Sequence, residues 1–143
     1  MSQSVKPVLL ISLRPRFVTA IFSGTKTVEF RRTRPRVDAG DWVAIYESKT
    51  TKGIVGAVQV SSVTEATPSA IWKKFKQVGG ITKKEFDEYY AGTDTAYAIS
   101  IKKHRKLSAP ISLQMLRQRC TGFHPPQCYH YRDIDQLFGS ESP

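Results

Sequence analysis

Gly24-Thr25-Lys26-Thr27-Val28-Glu29-Phe30-Arg31 is the run on which the reading of this chain turns. In an extended backbone successive side chains face opposite ways, so Thr27, Glu29 and Arg31 share one face while Val28 and Phe30 point to the other. One face belongs to a core and the other is polar. A carboxylate and a guanidinium two residues apart neutralise each other, which lowers the cost of holding both beside a ligand. The alternative is a solvated outer face whose ion pair adds little.

Upstream, Val8 to Leu13 is short, apolar and stopped by Arg14-Pro15, which predicts a largely buried first strand. Pro15 suits the first turn of a helix, and Phe17, Ala20 and Ile21 continue it until Gly24. Downstream, the strand Thr27 to Arg32 runs into a basic loop, Thr33-Arg34-Pro35-Arg36, and a turn at Asp38-Ala39-Gly40. Trp42 to Glu47 and Gly53 to Val63 read as a third and a fourth strand, joined by a polar hairpin at Ser48 to Lys52 and paired antiparallel.

Thr67-Pro68-Ser69 opens a helix with Ile71, Trp72 and Phe75 inward, closed by Gly79-Gly80. Thr82-Lys83-Lys84-Glu85 has the capping-box pattern and predicts a helix to about Tyr90. Ala96 to Ile101 reads as a fifth strand, extended by the basic run Lys102-Lys103-His104-Arg105-Lys106, a second charge cluster that could sit beside the first. Ser112 to Arg119 reads as a helix, Tyr129 to Tyr131 as a final strand or edge, and Asp133 to Phe138 as a short helix. Trp42, Trp72 and most phenylalanines are assigned to the core; Tyr97 fits either core or surface.

The 143 residues fit one α+β domain, with a core over about residues 8–138 and short flexible termini. Five or six short, mostly antiparallel strands with flanking helices predict a small β-barrel. No apolar run approaches the roughly 20 residues that cross a bilayer, so no membrane partner is expected. Met1 to Pro7 does not read as a secretory signal. Cys120 and Cys128 make no disulfide framework, which points to a reducing, cytoplasmic setting.

The net charge is +10, and residues 1–36 hold eight cations against Glu29 alone, a local net of +7. Arginines concentrated this way capture polyanions and fork onto phosphate oxygens, which favours nucleic acid over mere solubility. Cys120, His124, Cys128 and His130 match no familiar zinc spacing, so no metal is assigned. No Gly-rich phosphate loop or nucleophile triad is legible either, and no cofactor is implied.

With these residues read, the chain resembles the ASCH domains, members of the PUA-like superfamily of small β-barrels. Gly24, Lys26, Glu29 and Arg31 match that family's Gly-x-Lys-x-x-Glu-x-Arg signature position for position. Further similarity runs through Ile11-Ser12-Leu13-Arg14-Pro15, Ile45-Tyr46-Glu47-Ser48-Lys49, Ile54-Val55-Gly56, Tyr90-Ala91-Gly92 and Pro125-Pro126-Gln127-Cys128-Tyr129. The resemblance implies a cleft between barrel and helices that accepts RNA or a nucleotide-like ligand, with DNA as an alternative. Its implied ligand positions are Arg14, Lys26, Glu29, Arg31, Tyr46, Ser48, Gln127 and Tyr129, with Arg16, Arg32, Arg34 and Arg36 steering the polyanion.

In that cleft Lys26 would reach phosphate, Glu29 would accept from a base or sugar donor, and exposed Tyr46 and Tyr129 would stack bases. Some relatives are enzymes, amidohydrolases on acetylated cytidine or ribonucleases, which makes Lys26 and Glu29 the catalytic pair of a second reading. In the amidohydrolases a lysine, a threonine and a glutamate act. Lys26 matches the lysine, Glu29 stands where the threonine belongs, and the nearest later acid is Glu85. A third reading is a module that binds an acidic protein. The oligomeric state is left open.

Overall fold

The structure is a computed structural model and describes residues 7–125, the strand backbone at 129–132, and residues 137–138. In chain order the elements are β1 (Val8–Leu13), α1 (Pro15–Phe22), β2 (Val28–Arg31), β3 (Trp42–Glu47), β4 (Gly53–Ala66), α2 (Pro68–Phe75), α3 (Lys83–Tyr89), β5 (Ala96–Ser112), α4 (Leu113–Arg119) and β6 (Tyr129–Arg132). The strands form one sheet in the order β2-β5-β4-β3-β1-β6. Every neighbour is antiparallel except β1 and β3, which run parallel.

The α+β class, the mostly antiparallel strands and the flanking helices are as the sequence predicts, but the sheet does not close. Among the described residues no pairing joins β2 to β6 at the two ends of the order. The helical layer takes the place of a closing strand beside β2. The Thr27 N–H donates to the Val78 carbonyl at 2.9 Å, and the Tyr90 hydroxyl donates to the Arg31 carbonyl at 2.9 Å. Two backbone groups at the ends of β2 are thereby satisfied without another strand.

Both faces of the central sheet are buried, which explains the unbroken apolar run of β1. Val8 and Leu10 point into a cluster with Tyr46, Ile54 and Leu116, while Leu9, Ile11 and Leu13 pack with Val18 and Ile21 of α1 on the other side. A third cluster gathers Val28 and Phe30 of β2 against Ile71, Phe86 and Tyr90. Phe86 is its centre, with ring centroids 5.1 Å from Phe30 and Trp72 and 4.7 Å from Tyr90. The β2 alternation therefore does what the sequence implies: its apolar members anchor the helical layer.

Local chemistry sets the helix ends. The capping box forms as predicted, with the Thr82 side chain accepting from the Glu85 N–H and Glu85 Oε1 accepting from the Thr82 N–H at 3.0 Å. Thr67 and Ser112 cap α2 and α4 in the same sense. Gly24 follows α1 with φ +85°, the left-handed closure that glycine adopts without strain, and its N–H donates to Ile21.

β4 runs to Ala66 and β5 to Ser112, past their predicted ends at Val63 and Lys106. β5 carries its ladder through the basic segment, pairing His104 with Val58 and Lys106 with Gly56. Of the predicted helix from Asp133 to Phe138, only Leu137 and Phe138 are described; both are helical and buried.

Gly79 and Gly80 close the α2–α3 connection onto β2. A Cβ on Gly79 would come within 2.4 Å of the Phe30 ring, and one on Gly80, at φ +71°, would come 3.0 Å from the Lys26 stem. Two stability outcomes follow, each read from the urea midpoint. Phe86→Ala lowers stability by about 3–5 kcal/mol, because it empties the middle of the third cluster. Gly80→Ala costs about 1–2 kcal/mol in backbone strain and exceeds the cost of Gly122→Ala, whose position is equally left-handed but open.

Candidate functional site

The polar face of β2 opens into a cleft of about 570 Å³ between the sheet, α1 and α3. β1 ends there with Ser12 and Leu13, and its exit supplies Arg14. The first turn of α1 adds Arg16 and Phe17, β2 and its threshold give Lys26, Glu29, Phe30 and Arg31, and the helical layer gives Ile81, Glu85, Glu88 and Tyr89.

Lys26 is the centre of this arrangement, and only 2% of it is exposed. Its Nζ lies 3.4 Å from Glu29 Oε1, donates to the Gly79 carbonyl at 2.5 Å, and sits 5.4 Å from the ring centroids of both Phe17 and Phe30. The second carboxylate oxygen of Glu29 meets Arg31 Nη2 at 2.8 Å. One carboxylate is thus shared by two buried cations. Burial pulls the Lys26 pKa below its ordinary value; Glu29 pushes it up, but the loss of hydration is the larger effect. Its ammonium is therefore easier to deprotonate than a surface lysine's.

A second layer lies at the mouth. Arg16 pairs with Glu85 across the cleft and stacks over Phe17 at 4.4 Å. Arg32, exposed, lies 4.8 Å over the Tyr89 ring. The lining holds Arg14, Arg16, Lys26 and Arg31 against Glu29, Glu85 and Glu88, so it is mixed in charge rather than uniformly basic. Such a surface offers phosphate-binding cations and carboxylate acceptors within one pocket, the pairing that a nucleotide presents in mirror image.

Arg14, Lys26, Glu29 and Arg31 therefore converge as placed from sequence, with Arg16 at the rim. Tyr46 does not join them. It is 2% exposed and packed in the core with Leu10, Ile54 and Leu116, because β3 is covered on both faces, so it has no free ring face for a base. Ser48 is also outside the lining: its hydroxyl donates to the Leu13 carbonyl at 3.2 Å and ties the end of β3 to β1. Arg34 is held by Glu65 at 3.0 Å, and Arg36 is exposed; neither lines the cleft. Gln127 and Cys128 lie outside the described residues, and of Tyr129 and His130 the strand positions are described, Tyr129 opposite Ile11 and His130 opposite Leu10.

Sequence reasoning missed Phe17, Glu88 and Tyr89 as lining residues. Glu85, the acid left on the next helix, does reach the cleft. The basic run Lys102 to Lys106 does not line it, since β2 covers β5 only as far as Ile101. Among the described residues no group of histidine, cysteine and acidic side chains could hold a metal ion, and no helix is long and apolar enough to cross a membrane.

Known proteins frame this geometry. A family model described as a domain of unknown function, DUF365, matches residues 10–119. A Zymomonas mobilis protein named ASCH domain-containing ribonuclease is 30% identical over 82% of this chain and 79% of its own length. The crystal structure of ASCH from Zymomonas mobilis superposes with a TM-score of 0.85 and 28% identity, covering 91% of this chain and 90% of that one. Large ribosomal subunit protein uL22 of Ureaplasma parvum is 35% identical over 73% of this chain, which spans 34% of that longer protein. With the matched model, the relative and the shared fold each extending over most of its length, the chain belongs to the ASCH domain family.

Proposed function

We propose that the cleft around Lys26, Glu29 and Arg31 binds RNA or a ribonucleotide-like ligand. The observation that carries this reading is the buried Lys26 ammonium, set between two aromatic rings and sharing Glu29 with Arg31. Two fixed cations suit a phosphate, and Glu29 suits an amino or 2′-hydroxyl donor. The relative named as a ribonuclease and the ribosomal relatives support an RNA ligand over DNA.

Titration of single-stranded RNA at fixed moderate salt tests it. Lys26→Met keeps the packed stem and removes the charge; affinity falls at least about tenfold, the scale of one lost charge-assisted contact. Equal affinity in native and variant protein refutes the cleft. The pH dependence has a definite sign. Protonated Lys26 is the binding form, so affinity falls as pH rises through its lowered pKa, below the ordinary 10.5. In Lys26→Arg that fall disappears, because arginine stays charged.

A second reading, phosphodiester cleavage, is favoured by that same depressed basicity. In it the neutral Lys26 amine takes the proton from a 2′-hydroxyl, whose oxygen attacks the adjacent phosphorus, and the 5′-oxygen leaves with a proton from solvent. The products are a 2′,3′-cyclic phosphate and a 5′-hydroxyl. Cleavage then rises with pH through the Lys26 pKa, the reverse of the binding profile, and a strand with 2′-deoxyribose resists. Cleavage of the deoxy strand, or an unchanged rate in Lys26→Met, overturns this chemistry.

A further inference from the structure

α1 separates the cleft from a second concavity. Arg16 and Phe17 of its first turn face the cleft, while Val18, Thr19, Phe22 and the capping residue Ser23 line a hollow of about 390 Å³ completed by Glu47, Val55 and Lys106. Arg16 and Phe22 lie on one helix, less than two turns apart, or about 9 Å along its axis. The half-buried Phe22 ring forms the apolar wall, with His104 meeting its edge at a centroid distance of 5.9 Å.

What surrounds the hollow is strongly cationic. Lys102, Lys103, His104, Arg105 and Lys106 are consecutive and all exposed, and among the described residues no strand pairs with the outer edge of β5 beyond Ile101. Their register keeps His104 and Lys106 on the α1 side, opposite Val58 and Gly56, while Lys103 and Arg105 take the other side opposite Gln59 and Ala57. Of this run Lys106 lines the hollow itself, beside one acid, Glu47, which already accepts from Thr51 at 2.6 Å. Lysines on a strand edge also discourage pairing with a second sheet, and that effect alone requires neither an aromatic wall nor a hollow beside them.

We propose that this hollow is a second nucleotide subsite: a single-stranded RNA seated in the cleft continues across α1, sets a base against Phe22 and a phosphate against Lys106. The proposal rests on the RNA reading of the cleft. Charge complementarity, an apolar face sized for one base, and a helix shared with the cleft favour a polynucleotide over an acidic peptide.

The test compares a diuridine, which fills only one site, with polyuridine, on native protein and on Lys106→Ser. That position is exposed and lies outside the cleft lining. Diuridine binds both proteins equally, while polyuridine binds the variant about fivefold more weakly, with a salt slope shallower by about 0.7 for one lost phosphate contact. Phe22→Leu weakens polyuridine and spares diuridine, through lost stacking. Polyuridine binding and salt slope unchanged in Lys106→Ser overturn the second subsite and leave the cleft standing. Loss of polyglutamate binding with polyuridine unaffected overturns it in favour of an acidic protein partner. If the native protein binds neither RNA, the cleft reading fails and the second subsite falls with it.

Discussion

Moving a lysine out of water is unfavourable unless something replaces its hydration, and the architecture around Lys26 is organised to do so. Glu29, the Gly79 carbonyl and the faces of two phenylalanines surround the ammonium. They come from three separate pieces of chain. Glu29 and Phe30 arrive on β2, Phe17 on α1, and the carbonyl on the α2–α3 connection. The site is therefore assembled only when the sheet, the first helix and the helical layer have docked. The glycines at 79 and 80 permit that docking, because any side chain there meets Phe30 or the lysine stem.

The burial of Arg31 belongs to the same constraint. Two cations side by side would repel, and their shared carboxylate allows both to remain inside. The balance is uneven. Lost hydration outweighs the attraction of Glu29, so Lys26 holds its proton less tightly than usual while Glu29 is retained as the acceptor for both. The positive charge here is thus fixed in place and only partly neutralised, without the freedom of mobile surface lysines.

Much of this was legible before any coordinates. Period-two alternation in β2 separated Val28 and Phe30 from Glu29 and Arg31, and the capping box named the start of α3 to the residue. What could not be read was long-range. Glu85 lies 69 positions from Arg16, and no local pattern announces that the two meet. Tyr46 failed for a related reason: its strand is covered on both faces, so alternation gives no hint that a tyrosine there is sealed in. Barrel closure was inferred from strand number, yet it is decided by what lies beside β2, and there the hydrogen bonds run to Val78 and Tyr90. The basic segment after Ile101 was recognised as strand-like, but its side of the sheet depends on register shifts in β4 that composition does not encode.

Glu85 divides its labour between its two oxygens. Oε1 secures the start of α3 through Thr82, and Oε2 reaches Arg16 on the far bank. Because the tasks sit on separate atoms, an incoming anion that claims the guanidinium leaves the helix anchored. The contact that spans the entrance is thus separate from the one that fixes the wall behind it.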